Sequence, residues 1–263
     1  ARIVLDISPK CLVIPAHAWT PWFSVFGSKS GFDSLEECFD EMTRSIPAIE
    51  TGLSSDPPMN RSLSALDKVA LLSNSDAHSL DNLGREANIF DGSKPMTYDR
   101  LYNMIWQKES GLLGTIEFYP EEGKYHVDGH AACGVRLEPA ETKKLNGRCP
   151  KCGRPITVGV LSRVDDLADK SAKKVKAGNY KYIVPLREII GQVLRVGKKS
   201  KSVEAICSKL VPALGSEFSV LINIPLDDIN KAGFTEVSEA IGLVRRRKIS
   251  IIPGYDGVYG IVS

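Results

Sequence analysis

Short apolar runs that stop at a proline or a polar tip punctuate the first half of the chain. Longer stretches with apolar residues three and four apart fill the second half. Leu12-Val13-Ile14, closed by Pro15, reads as a buried strand, and Ala48 to Gly52 reads as another short one. Leu71-Leu72 is a further apolar run, and it ends in the polar tip Ser73 to Ser79. Leu112 to Tyr119 has strand character with partial alternation, while Ile3-Val4-Leu5 is an apolar run that Pro9 closes. Asp33-Ser34-Leu35-Glu36 reads as a capping box opening a helix to about Arg44, with Leu35, Cys38, Phe39 and Met42 on one face and Cys38 in the core. Pro57-Pro58 argues against helix between Leu53 and Asn60. Thr97 caps a helix to about Gln107 that carries Leu101, Met104 and Ile105. Alternating strands and helices through residue 119 predict an α/β fold with a mostly parallel sheet. Beyond Leu161 the periodicity becomes helical, over Val164 to about Lys176, Pro185 to Leu194, Ser202 to Leu210 and Glu236 to Arg247. A last strand, Ile249 to Ile252, precedes the turn-rich Pro253-Gly254-Tyr255-Asp256-Gly257.

Candidate chemistry falls where the strands end. His17 follows the Leu12–Ile14 run, with Trp19, Trp22 and Phe23 just beyond it. A ligand or acid/base beside a stacking surface suits an enzyme acting on a base or sugar phosphate. A buried histidine among core aromatics is the alternative. Asp76 and His78 are two apart, so an extended segment would point both to one side. One carboxylate oxygen and one imidazole nitrogen there suit a divalent metal such as zinc, manganese or iron. Gly27-Ser28-Lys29-Ser30 lacks the Gly-Lys-Ser/Thr order of a Walker loop, which excludes that ATPase motif. Ser28 and Lys29, just before a helix, can still hold one phosphate. The planar guanidinium of Arg85 suits a phosphate or an ion pair equally. Glu50 and Asp56 read either as acidic site residues or, preferably, as a buried partner and a turn cap.

The most specific local pattern is His130-Ala131-Ala132-Cys133 followed by Cys149-Pro150-Lys151-Cys152. Two ligand-x-x-ligand knuckles complete a tetrahedral, closed and therefore structural zinc site. His126 is the alternative fourth ligand.

Charge refines the picture. Residues 1–149 carry 15 Lys+Arg against 21 Asp+Glu, and residues 150–263 carry 19 against 11, so an acidic half precedes a basic one within a net charge of +2. The clusters Lys170/Lys173/Lys174/Lys176, Lys198/Lys199/Lys201 and Arg245-Arg246-Arg247-Lys248 suit a DNA backbone. No apolar run is long enough to span a bilayer and the start lacks a signal-peptide pattern, so no membrane partner and a cytoplasmic location are the expectation.

Longer stretches carry a resemblance. Pro15 to Phe23, Phe26 to Glu37, Glu50-Thr51-Gly52-Leu53-Ser54-Ser55-Asp56-Pro57, Asn74 to His78, the zinc segment and Pro253 to Gly260 together resemble endonuclease Q, a DNA-repair nuclease built on a PHP domain. The resemblance implies the carboxyl-terminal part of a PHP-type distorted (β/α) barrel (residues 1–119). A zinc-ribbon-like insert (120–160) and a mainly helical basic DNA-binding domain (161–263) would follow. It implies cleavage 5′ of deaminated bases (uracil, hypoxanthine, xanthine) or abasic sites in double-stranded DNA. His17, Asp76 and His78 would hold catalytic divalent metal (zinc, manganese or magnesium); beside them Trp19, Trp22 and Phe23, by their closeness to His17, and Ser28, Lys29 and Arg85, as phosphate holders, read as substrate contacts. It also brings in the sliding clamp as a partner, although no clamp-binding tail is visible. The family's amino-terminal His-x-His motif is absent, and Ala1 falls in what looks like the middle of the domain, so the chain reads as a fragment. Two rivals stand beside this reading: another PHP phosphoesterase, and a non-catalytic zinc-containing DNA-binding module.

Overall fold

The computed structural model describes residues 1–263, the side chain of Ala172 excepted. The chain divides into two compact units, Ala1–Lys181 with Ile252–Ile261, and Tyr182–Ile251 with Val262–Ser263.

The first unit opens with α1 (Arg2–Ile7), α2 (Leu35–Phe39), β1 (Ala48–Glu50), α3 (Pro57–Arg61) and β2 (Ala70–Leu72). β1 and β2 are fully buried and pair in parallel, with Ala48 opposite Ala70 and Glu50 opposite Leu72. Next come β3 (Ala87–Phe90), α4 (Tyr98–Ile105) and β4 (Leu112–Glu117), with β3 antiparallel to β4. The sheets are therefore small and mixed, and the expected mostly parallel sheet is not what forms. β5 (Asp128–His130), β6 (Val135–Leu137), α5 (Pro139–Lys144), α6 (Val160–Leu167) and β7 (Tyr180–Tyr182) follow, β5 and β6 forming an antiparallel hairpin. The core gathers Trp19, Phe26, Leu35, Ile49, Leu66 and Leu71 with Val160 and Val164 of α6.

Four local expectations need correction. Leu12–Ile14 forms no ladder, although Leu12 and Ile14 still alternate onto the Ala48, Ala70 and Leu72 core cluster. Pro15 closes the segment against the strand end, where its carbonyl accepts from Glu50 N–H at 3.0 Å. Pro57-Pro58 begins α3 rather than preventing it, because the first-turn N–H groups of a helix are unpaired anyway and Asp56 caps Met59 N–H at 2.8 Å. The cap of α2 is Ser34, which accepts from Glu37 N–H, while the Glu37 carboxylate reaches back to Asp33 N–H. The box is thus shifted by one residue. The helix read from Val164 lies instead at Val160–Leu167, with a short 3-10 turn at Ala172–Lys174.

The second unit is helical: α7 (Leu186–Leu194), α8 (Lys201–Leu214), α9 (Leu226–Lys231) and α10 (Thr235–Arg245). Ile190, Val203, Leu210, Val220, Ile229 and Ile241 bury its apolar faces. The short α9 was not legible in the periodicity. β8 (Ile251–Ile252) and β9 (Ile261–Val262) lie where the chain passes between units. Among the described residues no helix is long and apolar enough to cross a membrane.

Candidate functional site at the strand ends

β1, β2 and β4 run to a common end, and antiparallel β3 begins there. Glu50 is the last residue of β1 and is buried. One carboxylate oxygen accepts the backbone N–H of His17 at 2.6 Å, and the other accepts the Asn74 amide at 2.9 Å. A single buried carboxyl group thus ties the His17 loop to the loop that follows β2. Asn88 on β3 continues the network, donating to Asn74 Oδ1 at 3.0 Å and to the Ser73 carbonyl at 2.9 Å. Gly52 backs onto His17 with φ +61°, and a Cβ there would sit 2.9 Å from His17 Cα. Only glycine accommodates both demands.

Two more carboxylates, not singled out in the sequence, lie at the same end. The pairing of Ala87 with Ile116 places Glu86 opposite Glu117 across the β3–β4 ladder. Glu117 is fully buried and accepts from the Thr51 hydroxyl at 3.0 Å. Glu86 is 3% exposed and one of its oxygens has no hydrogen-bond partner. Burial, reinforced by Glu117, pushes the Glu86 carboxyl up to about 9; burial pushes Glu117 up to about 8 despite the hydrogen bond from Thr51. Two buried carboxylates directly opposed cannot both ionise cheaply, so the pair retains protons at neutral pH. The only sequence signal was acidic residues in otherwise apolar strand contexts.

The expected ligands occupy this end but do not converge. His17 is half-buried with φ +33°. Asp76 has φ +43°, so the segment is not extended, and the His78 ring nitrogen turns back to within 2.9 Å of the Asp76 carbonyl. Among the described residues, His17, Asp76 and His78 do not form a group whose donor atoms could share one ion. Arg85 holds this loop instead of standing free, donating to the Ser75 carbonyl at 2.8 Å and to that of Asp76 at 3.4 Å. Ser28 donates to the Val158 carbonyl at 3.2 Å, and Lys29 is exposed. Trp19 is a core residue: it is fully buried, stacks on Phe26 with centroids 4.7 Å apart, and donates its indole N–H to Asn60. Substrate cannot reach it in this conformation. Trp22 and Phe23 remain at the surface.

The zinc segment assembles as its spacing predicts. The donor atoms of His130, Cys133, Cys149 and Cys152 all lie within 4.8 Å of one another. His130 Nδ1 and Cys152 Sγ are 3.7 Å apart, near the roughly 3.5–3.8 Å edge of a tetrahedron with zinc bond lengths. Left-handed glycines follow each knuckle, Gly134 at φ +60° and Gly153 at φ +74°. A small core of Val135, Leu137, Cys149 and Ile156 backs the site. Burial raises the Cys149 thiol, but backbone N–H groups of Lys151 and Cys152 outweigh it and bring the thiol down to about 7, while its hydrogen bond with Cys152 lifts Cys133 to about 11. The four donors could hold a metal ion, and as a closed tetrahedral set they would leave it no open position. His126 is not in the group. It is buried, and burial lowers its imidazole to about 4.

In the second unit, residues 182–251 with 262–263 carry 11 Lys+Arg against 7 Asp+Glu. Arg245 is committed to the carbonyls of Leu221 and Val220, and Arg247 lies over the Tyr182 ring. Lys199 and Lys201 are exposed.

A family model described as the MJ0043 C-terminal domain matches residues 185–248, within this unit. The chain is 34% identical over 255 residues to the "Uncharacterized protein MJ0043" of Methanocaldococcus jannaschii, which covers 94% of this chain and 31% of that protein. It is 33% identical over 254 residues to the "Uncharacterized protein YqxK" of Bacillus subtilis, covering 96% and 61%. The crystal structure of the lesion-specific endonuclease PfuEndoQ from Pyrococcus furiosus matches with a TM-score of 0.85 at 35% identity, over 95% of this chain and 62% of that one. A structure of Endonuclease Q with a 27-mer duplex substrate, an abasic lesion at its active site, matches with a TM-score of 0.84 at 33% identity, over 99% and 65%. The chain spans less than two thirds of each of these relatives. Its resemblance to endonuclease Q holds in sequence and in fold along nearly all of its length.

Proposed function

We propose that this chain is part of a DNA-repair endonuclease that cuts duplex DNA on the 5′ side of a damaged nucleotide, at deaminated bases (uracil, hypoxanthine, xanthine) and abasic sites. The carrying observation is the likeness over 95% of the chain to a lesion-specific endonuclease. The strand-end arrangement supports it, because Glu50 fixes the His17 backbone and the Asn74 loop together at the edge where α/β folds place their chemistry. The reaction uses a divalent metal (zinc, manganese or magnesium), which would polarise the phosphate and acidify an attacking water. His17, Asp76 and His78 supply donors on one side of that cluster. Their donor atoms do not close on a single ion in this conformation. The His130/Cys133/Cys149/Cys152 zinc is structural, and the exposed lysines of the second unit contact the DNA backbone. Within this reading the PHP part ends at 119 and the zinc segment at 160, while residues 161–181 pack with the first unit and the basic helices begin after Tyr182. No observation supports a sliding-clamp contact, and the reading leaves it out.

The dispersal of His17, Asp76 and His78 favours one second reading, a zinc-containing module that binds DNA without cutting it. A nicking assay separates the two. A labelled duplex with one deoxyuridine or one abasic site is incubated with manganese, magnesium or zinc and this chain, or a version extended at its amino terminus, each also carrying His17→Ala or Asp76→Ala. The endonuclease reading expects metal-dependent nicking that both substitutions abolish. Lesion binding without nicking by either chain favours the module.

A further inference from the structure

We propose that Phe23 is a wedge that enters the base stack of duplex DNA beside the damaged nucleotide, an inference that rests on the endonuclease reading above. Phe23 is 91% exposed, the highest value of any large apolar side chain among the described residues. It also adopts φ +57°, a conformation costly for a bulky residue. An exposed aromatic ring held in an unfavourable backbone state needs a reason outside the fold.

The loop that presents it is tied at several points. Phe26 N–H reaches the Ala18 carbonyl at 2.8 Å, Phe32 N–H that of Val25 at 2.6 Å, and Lys29 N–H that of Pro21 at 2.9 Å. The Phe23 N–H itself donates to Ser30 Oγ at 2.9 Å. Beneath the loop, Trp19 and Phe26 are fixed in the core. The ring is therefore projected by a braced support, and little conformational entropy is lost when it inserts.

The surroundings match a nucleic acid. Trp22 meets Tyr125 edge-on with centroids 5.2 Å apart, and Lys124 lies 5.6 Å from the Tyr125 ring and 6.0 Å from that of Tyr259, which is 71% exposed. Three separate chain segments thus bring aromatic faces and an exposed cation together, and Lys29 adds a second cation from the same loop as Phe23. Stacking faces with phosphate-pairing lysines are the chemistry of unstacked bases and their backbone. A lesion site is where insertion is easiest, since a damaged or missing base leaves the least stacking to break.

The test is fluorescence anisotropy of this chain on two duplexes of one sequence, intact and with a single abasic site. Wild type is compared with Phe23→Ala, Phe23→Gly and Phe23→Tyr. The proposal expects Ala and Gly to lose about tenfold in preference for the abasic duplex over the intact one, and Tyr to retain the preference. Gly should also raise the melting temperature, because it accepts the left-handed conformation. An unchanged preference in Phe23→Ala, with wild type discriminating, overturns the wedge and leaves the endonuclease reading intact. A wild type that binds neither duplex overturns both. Self-association of the wild type that Phe23→Ala abolishes, with preference unchanged, assigns the surface to a second copy and overturns the proposal.

Discussion

Replacing Glu86 and Glu117 together by glutamine should stabilise the protein increasingly as pH rises. In the folded chain their carboxyls are raised to about 9 and about 8, from an ordinary value of 4.5. Between those limits the folded state holds protons that the unfolded state has released. The stability associated with these groups is therefore fully present below pH 4.5 and is lost as pH climbs toward 8–9. Each group that stays protonated contributes a slope of about −1.4 kcal/mol per pH unit. From pH 5.5 to pH 7.5 the pair accounts for a loss of up to roughly 5 kcal/mol, and half that if one of the two ionises. Glutamine imitates the protonated acid, keeping an oxygen for the Phe118 N–H that Glu86 now accepts and one for the Thr51 hydroxyl on Glu117, but it does not titrate. Urea unfolding of wild type and double variant at three pH values between 5.5 and 7.5 gives the difference in slope directly, and effects common to both proteins, such as zinc release, cancel. Parallel stability–pH lines would refute the reasoning and show the carboxyls to be ionised in the fold.

Three further outcomes follow. Cys149→Ser should reduce the zinc content from one per chain to none, by elemental analysis, and expose residues 128–157 to rapid amide exchange, since the small hairpin core depends on the ion. Glu50→Ala should abolish nicking and cost about 1–3 kcal/mol in urea unfolding by leaving the His17 N–H and the Asn74 amide without their acceptor, with Glu50→Gln milder on both counts. Asp56→Ala should cost about 0.5–2 kcal/mol through loss of the α3 cap, seen as a lower urea midpoint.

What the sequence made legible was the chemistry with fixed local spacing. The two knuckles specified a four-donor group that could hold a metal ion, and geometry decided only between His126 and His130. Thr97, the α4 helix and the longer helices α7, α8 and α10 were readable because caps and 3.6-residue periodicity are local signals. The strand ends were harder. Leu12–Ile14 had the right alternation but no ladder partner, and Asp76–His78 left the extended conformation because Asp76 turned to positive φ under the hold of Arg85 on the loop. Glu86 and Glu117 escaped notice because opposition across an antiparallel pair is a property of register, which neither strand carries alone. Trp19 and Phe23 looked equivalent in a run of aromatics, yet one fills the core and the other faces solvent, a distinction set by how the loop folds back through Ala18 and Phe26.

The central claim is tested most directly by mapping the cut. A duplex labelled on the lesion strand is prepared with its abasic site at one position, and again with the site moved by several nucleotides. The products are sized at single-nucleotide resolution. The account predicts a nick immediately 5′ of the lesion that moves with it and is absent from the intact duplex. A nick that stays in place, or one that forms equally on intact DNA, would contradict it.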